Sequence, residues 1–447
     1  MTLSAMLPNP APAVLPRPAA PAATLAMGDA PSPWLPGLHF AVALTYFVLG
    51  SGALVLYSDH LARGSFFMPQ VAAATHLFAL GWIMLSIFGA LYQFLPVAVG
   101  QPLRFTSLAY VGLAAHTLGL MGFIGGLVSG ARGLLYLGAC GLSSSFISVA
   151  FNLVATLRRA DERPLTWWAL LGSALFLVVT PAYGLALGLN LHGDLSLSQR
   201  FVTVASHAHV ALVGIVLLVM VGVAHRLLPM FLLSHGASER PAWAALALLF
   251  GGALMLSIPY RNTFYLTAAY AMSGLGALAF LIQAALFFKR RVRRAIDPGM
   301  RLAGAGLIGL TVALLIAPFA LSRGTSHPPL LSAYFVALLG AISLFIAGHY
   351  YKIVPFIVWY HRYGPLVGLQ KVPKVAELYS EKLALLSGAL LALGWLGLVV
   401  LTFVGSRLGV WIASLTLLTG ACLEALIITR VALVARLSAA NGGRSPR

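Results

Sequence analysis

The chain has 447 residues, of which 60% are hydrophobic and only 9% charged, and its mean hydropathy is +0.93. Soluble domains carry about 25% charged residues, so this composition excludes a soluble globular protein and predicts an all-α integral membrane protein. The net charge of +18 sits in short loops between apolar runs, which is a topology signal and not a nucleic-acid one. The two cysteines, Cys140 and Cys422, lie inside apolar runs and exclude a disulfide framework or a CxxC metal site.

In chain order, residues 1–37 are rich in Pro and Ala and read as a disordered leader. They lack the apolar stretch and cleavage site of a secretory signal peptide. A membrane span needs about 20 mostly apolar residues. Twelve such spans are predicted over 38–435, near 38–57, 69–96, 103–129, 133–157, 167–190, 201–230, 241–259, 263–288, 301–321, 330–358, 383–404 and 409–435. Residues 436–447 form a basic tail.

The basic residues orient these spans. Twenty-two of the 28 Lys and Arg fall on the side of the N-terminus; the other side has only Arg63, Arg132, Arg200, Arg261, Arg323 and Arg407. The positive-inside bias predicts cytoplasmic termini in a bacterial inner membrane, with membrane lipid as the surrounding partner.

The second, sixth and tenth spans end alike, in GALYQFLPVAV, GVAHRLLPMFL and GHYYKIVPFIV. Aligning Pro96, Pro229 and Pro355 pairs Tyr92 with His225 and Tyr351, and Gln93 with Arg226 and Lys352. It also pairs His76 and His209 with Phe335. The expectation is a pseudo-threefold arrangement of three four-helix units, two of which carry a histidine near the outer face.

A histidine within hydrocarbon is costly and marks a functional site. His76 opens the second span and lies roughly 10 Å below its start, at 1.5 Å per residue. His207 and His209 open the sixth. Residues i and i+2 of a helix point about 200° apart, so this pair reaches two different sites. Imidazole suits iron and copper. The expected centre is a haem b held by His76 and His209, with His207 facing a second haem or a copper. The alternative is a set of pore-lining or backbone-bonded histidines in a cofactor-free transporter, or in an oxidase-assembly or structural partner. His116, mid-membrane in the third span, and His327, just before the tenth, are weaker candidate ligands. His225, His235, His349 and His361 lie at the inner ends of the sixth and tenth spans. Arg132, Arg261, Arg323 and Arg407 are candidate partners for haem propionates. Glu424 is the one clear intramembrane acid; it either relays protons, pairs with an inner-face arginine or is protonated.

On these features the chain resembles subunit I of the haem–copper oxidase superfamily, which includes nitric oxide reductases. The likeness covers about residues 38–435. It rests on the twelve spans and on ATHLFALGWIMLSIFGALYQFLP, which has the shape of the family's second helix: a low-spin haem histidine, a Gly-rich stretch and a Leu-Pro end. The resemblance implies a twelve-helix, pseudo-threefold bundle in which His76 is a low-spin haem ligand. The sequence departs from the family elsewhere. The sixth span reads HAHVALVG without the family's Glu and Tyr, the seventh begins RPAWAALALLF without paired His, and the tenth has LLSAYFVALLG in place of His-x-His. Conventional proton-pumping oxygen reduction is therefore not expected. Electron transfer, or binding or reduction of O2 or nitric oxide, is. The chain is also similar to the NnrS family, twelve-span haem and copper proteins linked to nitric oxide stress, over HLFALGWIMLSIFGALYQFLPVAVGQPL and the sixth-span segment HAHVALVGIVLLVMVGVAHRLLP. With no CxxCH motif in the chain, electrons are expected from quinol, a cytochrome or oxidase subunits.

Overall fold

Inside hydrocarbon every backbone N–H and C=O must find its partner within the protein, which leaves a chain this apolar only helices. The structure, a computed structural model, describes residues 32–197, 199–258 and 262–440, with the side chains of 434–440 outside the description. Among the described residues there is no strand. The long helices are α1 (Trp34–Leu56), α2 (Pro69–Val99), α3 (Thr106–Ser129), α4 (Arg132–Leu157), α5 (Leu165–Leu191) and α6 (Arg200–Leu232). They continue as α7 (Arg240–Leu256), α8 (Thr263–Lys289), α9 (Pro298–Arg323), α10 (Pro328–Arg362), α11 (Glu381–Val404) and α12 (Arg407–Ala440). Large side chains such as Leu118, Leu137, Ile308 and Leu393 face outward, as lipid and not water requires.

Eleven of these helices are long and apolar enough to cross a membrane. The exception is α7, predicted over 241–259, which has 17 residues. That length is at the lower limit of a spanning helix. Two other expectations shift. The predicted leader 1–37 ends early, because helix begins at Trp34; its residues 1–31 lie outside the described residues, as do 441–447 of the tail. The helices predicted to end at 96, 230 and 358 run on to Val99, Leu232 and Arg362.

Burial separates three helices from the rest. The apolar stretches of α10, α2 and α6 are 78%, 72% and 67% buried, against at most 50% in the other spanning helices. Helices adjacent in sequence pack on one another throughout, from α1 on α2 to α11 on α12, and α12 packs back on α1.

Glycines make those contacts close. Gly81, Gly214 and Gly340 recur at one position before the aligned prolines, and Gly89, Gly222 and Gly348 at a second. A Cβ on Gly81 would lie 2.5 Å from Cβ of Tyr46 on α1, one on Gly214 2.5 Å from Cγ of Phe176 on α5, and one on Gly340 2.9 Å from Cδ2 of Trp395 on α11. At the second position the blocking atoms are Cβ of His39 (2.7 Å), Cβ of Ala169 (2.9 Å) and the carbonyl oxygen of Gly299. Small residues that let helices approach are what membrane packing uses where lipid gives no hydrophobic drive.

A second repetition is in the backbone. In α2 an α-helical start, Pro69–His76, gives way to a π-helical segment, Leu77–Met84, before α-helix resumes over Leu85–Val99. In α6 the same sequence of conformations runs Arg200–His209, Val210–Leu217 and Leu218–Leu232. The π segment follows directly on His76 in one and on His209 in the other. α10 is α-helical throughout. π segments shift the register of the side chains on either side of them and recur at functional sites.

Candidate functional site

The end of the bundle where α1 begins is here termed proximal, and the end where it finishes distal. His76, His207 and His209 all lie in the distal half, and their surroundings differ. His76 Nδ1 lies 2.7 Å from the carbonyl oxygen of Ala72, one turn back on α2. A carbonyl can only accept, so Nδ1 carries the proton and the lone pair is on Nε2. The ring meets Phe123 of α3 edge-on, with centroids 5.1 Å apart.

Across from it is His207 of α6. The two ring centroids are 6.3 Å apart with planes 27° from parallel. The His207 Nδ1 is buried with no hydrogen-bond partner. Its ring faces the Thr180 backbone carbonyl of α5, and Gly184 on the same helix leaves room beside Cε1. Both histidines are partly exposed.

His209 points the other way, as the 200° between i and i+2 requires. Its Nδ1 donates to the Ala205 carbonyl at 2.7 Å, and its Nε2 accepts from the Tyr334 hydroxyl at 2.8 Å. It lines a cavity of about 60 Å3 between α6, α8, α9 and α10, whose polar side chains are otherwise Tyr270, Ser273 and Tyr334. The pairing expected from the sequence is therefore corrected: His207, not His209, faces His76, and His209 faces the second space. The sequence supplied the two opposed faces of α6 but not the rotation that aims one of them at α2.

The weaker candidates are engaged elsewhere. His116 donates from Nε2 to the carbonyl of Leu80, inside the π segment of α2, at 3.1 Å, and accepts from Ser145 at its Nδ1 at 3.2 Å. Both ring nitrogens are used, and the ring packs on Phe88 and Phe146, so His116 ties α3 and α4 to α2. His327 is exposed and caps α10, its Nδ1 accepting from the Leu330 amide at 3.2 Å. It does not reach His76. His349 donates to the Phe345 carbonyl, and His225 lies 3.4 Å from Glu239. Among the described residues no three of the His, Cys, Asp and Glu side chains converge.

The arginines divide similarly. Arg132 pairs with Asp194 at 3.2 Å and donates to the His192 carbonyl, in a distal group that includes Tyr136. Arg407 pairs with Asp59 at 2.9 Å. Arg323 lines a groove with His327 and Phe403, and Arg261 lies outside the described residues. Glu424 is fully buried on α12 and no arginine pairs with it: neither carboxyl oxygen has a hydrogen-bond partner.

Sequence reasoning missed the Tyr334 and Tyr270 rings around His209. Tyr334 adjoins Phe335, the residue aligned with the histidines, and that adjacency was its only signal. The π segments leave no mark in composition. No protein-family model matches this chain, and no curated protein matches it.

Proposed function

We propose that this chain is a haem-b-binding protein of the bacterial inner membrane, related to oxidase subunit I, and that His76 and His207 hold the haem iron between α2 and α6. Its function in this reading is electron transfer. The carrying observation is the 6.3 Å between the two ring centroids. His76 and His207 would hold the group from facing helices, and His207 Nδ1 is a buried nitrogen without a hydrogen-bond partner.

A haem held by His76 and His207 would supply one-electron transfer. The protein's part is positioning. The Ala72 carbonyl fixes the tautomer of His76 and aims its Nε2 away from α2. At His207 no hydrogen bond fixes Nδ1, and Gly184 leaves room beside Cε1. Electrons reach such a site from quinol or a separate protein. The same test fails for a second haem or copper at His209, whose Nε2 holds the Tyr334 hydroxyl and whose cavity contributes no second imidazole.

The wider reading has twelve spans with both termini cytoplasmic, arranged in a pseudo-threefold bundle of the units α11–α12–α1–α2, α3–α6 and α7–α10. The recurring glycines, the alignment on Pro96, Pro229 and Pro355, and the 22 basic residues on the proximal side support it.

The test is an optical spectrum of the purified protein, oxidised and reduced, with haem extracted and counted. The expected result is a red protein with low-spin haem b bands that His76→Ala removes while the protein remains folded. A colourless but folded wild type, or an unchanged spectrum in the variant, overturns the reading.

A further inference from the structure

A recess of about 880 Å3 opens on the outside of the bundle, away from the histidine pair. It lies between α4 and α7, which both pack on α5. Its lining is apolar except for Arg158, just past the end of α4, and the indoles of Trp168 on α5 and Trp243 on α7.

Those three side chains stand at one end. α4 finishes at the proximal end of the bundle and α5 and α7 start there, so Arg158, Trp168 and Trp243 share a proximal mouth. Both indoles are half-exposed, and Arg158 is exposed. From the mouth the recess runs along α5 from Trp168 to Val178, about 15 Å at 1.5 Å per residue. There α7 closes on α5. The Phe250 ring meets Phe176 with centroids 5.7 Å apart, and the Tyr183 hydroxyl donates to the Leu256 and Ser257 carbonyls at 3.4 and 3.3 Å. The recess therefore has the depth of one leaflet, half of a hydrocarbon core about 30 Å thick.

That depth decides between occupants. A spanning helix from a second copy would cross both leaflets and would need a groove along the whole of α5. The acyl chains of a lipid fill one leaflet and end at the midplane. The mouth sets the headgroup. Indoles favour the headgroup level of a membrane, and their N–H groups only donate. The guanidinium fork of Arg158 suits a phosphate, and among the described residues no carboxylate pairs with it. Nearby in sequence are Arg159, Arg163 and Arg240, against Asp161, Glu162 and Glu239. Arg163 is engaged over the Trp167 ring at 5.1 Å, and Glu239 faces His225 at 3.4 Å. Arg158 is the cation that the recess itself presents. A zwitterionic headgroup would bring a cation of its own to this mouth; an anionic one does not.

We propose that this recess binds one anionic phospholipid of the proximal leaflet, with its phosphate on Arg158 beside the two indoles and its acyl chains along α5. The proposal rests on the chain crossing the bilayer and not on the haem.

The experiment is native mass spectrometry of the full chain, equilibrated in mixed micelles of phosphatidylglycerol and phosphatidylcholine with identical acyl chains. The expected spectrum has one phosphatidylglycerol retained per chain. It is favoured over phosphatidylcholine about fivefold, the contribution of one arginine beside an anionic lipid surface. Arg158→Ala is expected to remove that preference while lipid of either kind still binds. Ala247 is exposed on the α7 wall, and Ala247→Trp is expected to fill the recess and expel both lipids. Leu118→Trp, at an exposed position of α3 outside the recess, is expected to behave as wild type. Should either recess variant fail to accumulate, Arg158→Gln or Ala247→Phe carries the same test. Equal retention of the two lipids by wild type overturns the proposal. So does a preference that Arg158→Ala leaves intact, or a lipid that survives Ala247→Trp. A lipid-free dimer that Ala247→Trp dissociates would make the occupant a second copy and overturn it as well.

Discussion

His207 and His209 are two residues apart on one helix and have opposite fates. His207 has an unpartnered buried Nδ1 and faces another imidazole on α2; His209 has both ring nitrogens bonded, one to its own helix and one to Tyr334. An isolated histidine in hydrocarbon is expensive; His209 meets that cost with hydrogen bonds within the protein, and in the function proposed above His207 meets it by holding a metal. The contrast teaches that intramembrane histidines are not equivalent evidence for a cofactor. What separates them is whether a lone pair remains uncommitted and whether a second donor faces it.

The largest expected effect breaks this contrast directly. His207→Ala is expected to remove the low-spin haem entirely, whereas His209→Ala retains it at full occupancy. Haem-to-protein ratios of the two purified variants check this, and loss of haem in His209→Ala with retention in His207→Ala would reverse the assignment. Next in size is a test of what holds the two facing helices in position. Ala at Gly81 or Gly214 sets a Cβ 2.5 Å from Tyr46 or Phe176, against nothing within 4 Å at Gly52. Overpacking of this kind costs about 1–3 kcal/mol. Thermal unfolding in detergent is expected to rank Gly81→Ala and Gly214→Ala well below wild type, with Gly52→Ala close to it. Equal melting of all three variants would mean that these glycines do not set the helix approach.

Much of this was legible in the sequence, and the limits have physical causes. The apolar helices could be read because hydrocarbon thickness fixes helix length. α7 was overestimated by a few residues because an apolar run does not say where its helix caps. A proline near a terminus removes a single hydrogen bond and leaves the helix running, as at Pro355, so α10 continues to Arg362 and not only to 358. His76, His207 and His209 stood out by residue type alone. Their pairing did not, because it depends on how α6 is rotated about its axis, and the π segments after His76 and His209 belong to that rotation. His116 was equally conspicuous in sequence. Its partners, Leu80 and Ser145, come from other helices, so only the packed structure separates it from a ligand.

A smaller effect sharpens the His209 side of the comparison. Tyr334→Phe removes the hydroxyl that donates to His209 Nε2 and keeps the ring that packs beside it. A neutral hydrogen bond contributes about 0.5–1.5 kcal/mol net. The expected outcome is a melting temperature lowered by that order with the haem spectrum unchanged. A spectral change in Tyr334→Phe would mean that the second space communicates with the first and that the two histidines are not independent.

The smallest effect lies outside the membrane and tests whether the distal loops influence the histidine pair at all. Asp59 sits between Arg63 at 2.6 Å and Arg407 at 2.9 Å, joining the segment after α1 to the start of α12. The hydrogen bond from Arg63 is the main reason its carboxyl is held below the ordinary range, with the charge of Arg407 adding to it. A carboxyl depressed in the folded state contributes stability above its unfolded value, and that contribution is lost as pH falls through the folded one. Wild type is therefore expected to melt slightly above Asp59→Asn near neutral pH, with the two converging in acid; the gap is also expected to shrink in high salt, because the pair is exposed. The haem spectrum should be the same in both proteins at every pH where both are folded, because His76 and His207 are held by α2, α5 and α6 and not by this clamp. A melting gap that widens in acid would contradict the sign of the Asp59 contribution. A spectrum that follows Asp59 would show that α12 and the distal loops help to set the distance between the two imidazoles.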